Sequence, residues 1–314
     1  MNSILDKISK EINSTVLDQA SKDAIQQKLN QMQKSKLNIL ITGATGSGKS
    51  STINALFDQE VAKVGEGVDP ETMTIKKFEV GNIILWDTPG LGDSPEKDRS
   101  YATNIIELLN KRDEYGSALI DLVLVVIDGS LRDMKTSFEL INEVIIPNLS
   151  DKNRILIGIN QCDMAMKGRG WDRSKAKPSQ ELLDFLDEKS YSVKNRIYES
   201  TGVSVSPVYY SALFKYNISK LLCHIIRSTP DEKRIIYVDK INKNPQVWKS
   251  NDVLMDYNME IQKEIKGSLT KALDSAAKGA IAGVTVGSLV PVIGPVIGAG
   301  IGAALGFIGG LFNV

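Results

Sequence analysis

The chain has 314 residues, room for two domains, and its 38 Lys and Arg balance 38 Asp and Glu, which leaves no global field to draw in nucleic acid. Two cysteines, Cys162 and Cys223, cannot build a disulfide framework and suit a reducing compartment. The lone histidine, His224, speaks against a His-based triad or a zinc site.

Residues 3–34 read as one or two amphipathic helices. Ile4, Leu5, Ile8, Ile12 and Val16 follow helical spacing, as do Ile25, Leu29 and Met32. Such helices suit packing on the rest of the chain, with a pairing role or a membrane surface as the alternative. Met1-Asn2-Ser3 opens no signal peptide, because Asp6, Lys7 and Lys10 interrupt the first apolar positions. A short buried strand, Leu37-Asn38-Ile39-Leu40-Ile41-Thr42, then runs into Gly43-Ala44-Thr45-Gly46-Ser47-Gly48-Lys49-Ser50, and a helix is expected from Ser51 to Phe57. The octet fits G-x-x-x-x-G-K-[ST], the phosphate-binding loop. Its glycines let backbone N–H groups turn inward around an anion, and the helix start adds its positive end. Lys49 is placed to reach β- and γ-phosphates, the Ser50 hydroxyl to hold Mg²⁺, and Ser51 to complete the nucleotide contacts.

An alternating strand is expected over Ile75–Val80 and another over Asn82–Leu85, followed by Trp86-Asp87-Thr88-Pro89-Gly90. Asp87 at a strand end can hold Mg²⁺ through water, and the Gly90 N–H can meet a γ-phosphate. A helix is predicted from Tyr101 to Asn110. Asp121–Asp128 is a strand apolar on both faces, as in a parallel sheet. A helix over Leu131–Ile146 is expected to stop at Pro147. The strand Arg154–Ile159 leads into Asn160-Gln161-Cys162-Asp163, where a carboxylate accepts from guanine N1–H and N2–H₂; adenine offers no such donor pair. Residues 167–178 form a basic loop, a solvated one or a contact for ribosomal RNA, anionic lipid or a second GTPase. A helix over Glu181–Tyr198 and a strand over Val203–Tyr210 lead to Ser211-Ala212, where a backbone N–H can bond guanine O6. His224 sits in an apolar helical run, Leu221–Ile226, and reads as structural. Alternating strands and helices imply a doubly wound α/β sheet with its ligand at the strand C-terminal ends.

Past Ser228 the composition changes. Asp231–Lys278 is charged and reads as helical, and residues 279–314 contain no charged residue. Glycines at 279, 283 and 287, then at 294, 298, 302, 306 and 310, would form a ridge on one helix face. Pro291 to Pro295 interrupts the run and suggests a helical hairpin. Its second arm, Val296–Val314, is about 28 Å long at roughly 1.5 Å per residue, near one hydrocarbon thickness. Its first arm, Gly279–Val290, reaches only about 18 Å by the same rise. So much apolar surface needs a bilayer, an oligomer core or the chain itself to cover it.

Across Ser35–Ser228 the order and strand-end placement of these motifs resemble the Era-like branch of the small regulatory GTPases, within the TRAFAC class. GATGSGKSSTINALF is similar to the septin-like and immunity-related GTPases. The resemblance implies GTP or GDP with Mg²⁺ as the bound species, and Lys49, Thr72 and Gly90 as the groups acting on the γ-phosphate. The polar loop between Phe57 and Phe78 corresponds to a first switch, in which Thr72, or else Thr74, closes on Mg²⁺ and the γ-phosphate. A second switch runs from Gly90 through Arg99. Three departures matter. Gln161 stands where the family usually has a Lys on the guanine ring. Leu91 stands where many members have a polar residue that orients water, and Gly46 where potassium-stimulated relatives carry Asn. Slow hydrolysis by a monomer is therefore expected, with acceleration from a second copy across the nucleotide. Glu66, Glu71 and Arg99 are candidates for that contact.

The expected fold is a three-layer α/β P-loop GTPase domain with a mostly parallel sheet, helical N- and C-terminal extensions and a glycine-rich apolar hairpin. The expected division is 1–34 helical, 35–229 GTPase domain, 230–278 charged helical segment and 279–314 hairpin. The expected role is a GTP-hydrolysing switch that is cytoplasmic and engages membrane lipid through residues 279–314. One alternative is an RNA- or ribosome-associated assembly GTPase, which lacks a basic stripe with interleaved aromatics after Ser228. The other is a membrane-disrupting effector triggered by its GTPase.

Overall fold

A computed structural model of the chain describes residues 4–57, 75–92, 94–238, 240–242, 244–248, 255–280 and 295–296. The N-terminal segment is two helices, α1 (Ile4–Asn13) and α2 (Gln19–Lys34). Asp18 caps α2 by accepting from the Ser21 N–H, so the chain breaks between them. Val16 falls in that break and is exposed, so it is not part of the buried stripe its spacing suggested.

β1 (Leu37–Thr42) enters the phosphate loop, and α3 (Lys49–Leu56) leaves it. β2 (Lys76–Val80) and β3 (Ile83–Asp87) form an antiparallel edge pair. α4 (Pro95–Asn110) starts earlier than the apolar periodicity suggested. Ser94 caps it by accepting from the Lys97 N–H, Pro95 occupies its first turn, and Glu96 and Asp98 complement the helix dipole there.

β4 (Leu122–Asp128) is followed by α5 (Lys135–Glu139), a π-helical turn (Leu140–Ile145) and α6 (Ile146–Asn148). The helical path thus begins later than Leu131 and passes through Pro147 instead of stopping there. The Ile146 N–H bonds to Ile141 O, so the wider turn absorbs the donor that proline lacks.

β5 (Ile155–Asn160) precedes a short antiparallel pair, β6 (Trp171–Asp172) and β7 (Lys177–Pro178), which gives the basic loop a hairpin form. α7 (Gln180–Thr201) ends at Gly202 in the left-handed region. Of the strand expected over 203–210, only β8 (Val208–Tyr209) pairs with the sheet. Pro207, with no N–H to give, precedes it.

α8 (Ile218–Ser228), α9 (Pro245–Trp248) and α10 (Tyr257–Ala280) complete the described elements, with a 3₁₀ segment over Asp231–Tyr237. The charged segment expected to be helical over 231–278 thus comprises several helical pieces among the described residues.

The strands form a six-stranded sheet in the order β2-β3-β1-β4-β5-β8, parallel apart from β2. Side-chain alternation divides the apolar strands between two cores. Leu122, Leu124 and Val126 face a core shared with α1, α2, α3, α8 and α10. Val123, Val125 and Ile127 face a core built with α4, α5, the π turn and α7. This is a three-layer α/β fold in which the helix after β1 lies on one side of the sheet and the helix after β3 on the other. The first switch, with Thr72, Thr74, Glu66 and Glu71, lies outside the described residues, as does almost all of the apolar hairpin. Val296 is described, and it packs half-buried against the core that holds the terminal helices. Among the described residues, no helix is long and apolar enough to cross a membrane.

Candidate functional site

The phosphate loop connects β1 to α3 and fits only where side chains are absent. Gly48 lies in the left-handed region, and a Cβ there would overlap the Asn160 amide nitrogen. At Gly43 a Cβ would overlap Val126 O of the neighbouring strand. Lys49 Nζ donates to Gly43 O and Ala44 O, each at 3.2 Å. This folds the ammonium back across the mouth of the loop instead of into solvent. Ser47 is buried, with no hydrogen-bond partner for its hydroxyl.

Asp87 ends β3, one strand away from the loop. Its Oδ1 is buried and makes no hydrogen bond. Burial pushes its carboxyl up to about 6, against the opposing pull of Lys49 and Lys76. A buried carboxylate without a donor costs free energy unless a cation or its water meets it. That orphaned oxygen, with Ser50 in the first turn of α3, fits a magnesium site of few protein ligands. Among the described residues no His, Cys, Asp and Glu cluster forms an all-protein metal cage.

Thr88 is buried and donates its hydroxyl to Thr42 Oγ1 at 2.9 Å. Beyond it the chain lies directly on the phosphate loop. Leu91 bridges Ala44 in parallel fashion, with Thr45 N–H donating to Leu91 O at 2.9 Å. Gly90 is held so close that a Cβ would overlap the Thr45 hydroxyl. The Leu91 side chain is buried in the core beneath α4. Gly92 N–H donates to Asp98, which ties this segment to the first turn of α4. Arg99, also on α4, is exposed.

The base motif is coupled to the loop by two amides. Asn160 Nδ2 donates to Ser47 O at 3.0 Å, while its Oδ1 accepts from the Ala212 N–H at 3.0 Å. Gln161, with φ of 59°, donates Nε2 to Gly46 O at 2.7 Å. Asp163 is buried beside Cys162 at the rim, where burial pushes the Cys162 thiol up. Ser211 exchanges backbone bonds with Tyr216, and its hydroxyl accepts from the Phe214 N–H. Neither N–H of Ser211-Ala212 is idle. The Ala212 N–H, expected to meet guanine O6, donates to Asn160 Oδ1.

All the described site residues of the sequence reading gather at the C-terminal ends of β1, β3 and β5 and the loop after β8. The sequence reading did not anticipate the aromatic brace behind the base loop. Trp171 packs at 5.3 Å from Phe214 and 5.4 Å from Tyr216, centroid to centroid. Nor did it anticipate Tyr210, whose hydroxyl bonds Thr52 at 2.7 Å and so links β8 to α3. The aromatic residues clustered around Ser211-Ala212 were the available signal for both.

The family profile described as Interferon-inducible GTPase (IIGP) matches residues 1–108. The chain is 26% identical to mouse (Mus musculus) Interferon-gamma-inducible GTPase 10 over 72% of this chain and 52% of the relative. It is 30% identical to the uncharacterised protein YfjP of Escherichia coli (strain K12) over 46% of this chain and 47% of that one. The chain thus spans about half the length of these curated relatives. Among solved structures, a dimerisation-deficient Toc33 variant from Arabidopsis thaliana aligns with TM-score 0.48 and 16% identity over 72% of this chain and 97% of that one. Aquifex aeolicus Era bound to GDP and aluminium fluoride aligns with TM-score 0.40 and 19% identity over 62% of this chain and 56% of that one. The chain has a P-loop GTPase architecture and is related in sequence to the interferon-inducible GTPases.

Proposed function

We propose that this chain is a GTP-binding and GTP-hydrolysing switch. It hydrolyses slowly alone, is stimulated by a second copy across the nucleotide, and engages a membrane through residues 279–314. One observation carries the reading: Asn160 and Gln161 join the phosphate loop to the base loop by direct hydrogen bonds. A single cleft then presents Lys49 to the phosphates and Asp163 to the base.

In this cleft the loop amides and Lys49 bind and orient the phosphates. Ser50 and Asp87, with Thr72 from the first switch, would hold magnesium. When bound, that ion neutralises charge developing on the β- and γ-phosphate oxygens. The Gly90 N–H fixes the γ-phosphate, and Asp163 selects guanine by accepting from N1–H and N2–H₂. The relatives support the nucleotide and the reaction class. The uncharged segment 279–314 supports the membrane contact.

The test is base selection in Asp163→Asn. An amide donor at this position meets a C2 carbonyl in place of an N2 amine, so preference should move from GTP toward XTP in competition binding. Unchanged selection of GTP over both XTP and ATP would refute the assignment of Asp163.

A further inference from the structure

The helix that leaves the phosphate loop is short. α3 has eight residues, fewer than the roughly 12–15 at which a helix becomes stable alone, so it depends on what holds its two ends. The last carbonyls of a helix have no partner within it. Here Phe57 leads the chain away in extended conformation, without a glycine turn to cover them. One distant residue covers two of them instead. Asn242 Nδ2 donates to Ala55 O at 3.0 Å, and the Asn242 N–H donates to Leu56 O at 3.1 Å. Beside these bonds Phe57 and Ile241 form an antiparallel bridge, and both side chains are buried.

The clamp is itself held in place. Asn242 is buried, and its Oδ1 accepts from the Asn244 N–H at 2.9 Å, which turns Nδ2 toward α3. The Asn242 carbonyl accepts from the buried Trp248 indole N–H at 2.6 Å. Each polar group of Asn242 is thus engaged, two of them on α3 and two within residues 242–248. Ile241, Val247 and Trp248 join the core shared by the terminal helices. The 3₁₀ segment that precedes them is tied to α10 through Arg234 and Glu264 at 3.0 Å.

We propose that Asn242 is a positioning residue for the phosphate-binding helix, and that its clamp makes guanine-nucleotide binding and the docking of residues 240–248 mutually reinforcing. The inference rests on the nucleotide reading above and deepens it, by assigning the segment through which occupancy reaches the C-terminal helices. A phosphate at the N-terminus of α3 favours the formed helix. The formed helix in turn presents Ala55 O and Leu56 O to Asn242. Without the clamp the end of α3 frays, and Lys49 and Ser50 at its start lose preorganisation. The bond between Thr52 and Tyr210 still holds the middle of the helix, so the loss is partial. Linkage makes the effect reciprocal: what weakens docking weakens binding, and binding suppresses undocking by the same factor.

The experiment combines GDP affinity by calorimetry, with Mg²⁺ present, and amide hydrogen exchange of residues 240–248 with and without saturating GDP. Affinity is compared for wild type, Asn242→Ala and Trp248→Phe at a temperature where all three are folded. Asn242→Ala removes the donor to Ala55 O and should weaken GDP binding about three- to tenfold. Trp248→Phe keeps an aromatic ring in the core and loses only the bond to Asn242 O, and should weaken it about two- to threefold. In wild type, GDP should slow exchange in 240–248 at least about threefold. A clamp that serves stability alone would lower the melting temperature of both variants and leave GDP affinity unchanged, and that result overturns the proposal. Should Asn242→Ala fail to fold, Trp248→Phe and the wild-type exchange decide. Wild-type protein that binds no guanine nucleotide would overturn the nucleotide reading as well. Tight GDP binding with exchange in 240–248 unaltered overturns only the clamp.

Discussion

Gln161 shows how one side chain joins two loops of a nucleotide site. Its backbone sits in the left-handed region, at φ 59°, and its amide donates to Gly46 O at 2.7 Å. The loop that carries Gln161 is thereby latched to the phosphate loop. A neutral hydrogen bond of this kind is worth about 0.5–1.5 kcal/mol. Gln161→Ala should therefore weaken GDP binding about three- to tenfold, measured with a fluorescent nucleotide, while Gln161→Lys should bind at least as tightly as wild type. Equal affinity in Gln161→Ala would show that the latch contributes nothing. The motif residues around Gln161 were legible because their chemistry is local: glycines that must admit an anion, a lysine, a terminal aspartate. The latch was not legible, since its two ends lie far apart in sequence and meet only when β1 and β5 are aligned in the sheet. The docking of Leu91 on Ala44 was hidden for the same reason. The sequence showed only that residue 91 lacks a polar side chain.

At the scale of elements, the strands were easiest to read and the helix ends hardest. β4 announces itself because burial on both faces demands an unbroken apolar run. α10 was read as charged and helical without its core face, although Tyr257, Ile261, Ile265, Leu269, Leu273 and Ala277 form a stripe at every fourth position, all of it buried. The charges between these positions masked the stripe in a composition reading. Two of those charges, Glu260 and Glu264, face Arg227 of α8 at 2.6 and 3.0 Å, and Glu264 also takes Arg234 at 3.0 Å. His224 lies one turn before Arg227 on α8. Burial pushes its imidazole down to about 4, helped by Lys220 and Arg227. The folded state therefore refuses a proton that the unfolded chain accepts near the ordinary value of about 6.5. Its stabilising contribution is complete above that value and is lost as pH falls from about 6.5 toward 4, on the order of 2 kcal/mol. Asp87 acts in the opposite sense over part of this range, because the folded state protonates it first. A comparison with His224→Gln isolates the histidine. Urea unfolding at pH 7 and pH 4.5 should show wild type losing stability relative to the variant as the pH falls. Parallel losses in both proteins would remove His224 from the account.

For the whole molecule, the terminal helices and one face of the sheet share a single core, and buried charges tie them further. Lys233 meets Asp121 at 2.7 Å, and Asp121 also accepts from the Asn38 N–H of β1, the strand that carries the phosphate loop. α10, which leads into the uncharged tail, is thus joined to the nucleotide site through packed and ion-paired elements rather than through a linker. This makes the tail a reasonable output for a nucleotide switch. Deleting residues 279–314 should leave GTP binding intact and abolish flotation with liposomes; flotation that persists would assign the membrane contact to α1 and α2. The rate of hydrolysis belongs to this scale as well. The cleft offers Lys49 and loop amides, while Leu91 is apolar and buried. Arg99 is exposed on α4, just beyond the segment that Gly92 and Asp98 hold to the loop, and so is available to a second copy facing the cleft. Specific activity should rise as protein concentration goes from nanomolar to tens of micromolar. Arg99→Ala should lower the plateau while leaving the dilute rate unchanged. A turnover per molecule that is fast and constant across that range would mean that one copy already holds every group the reaction needs, and the second copy would have no catalytic part.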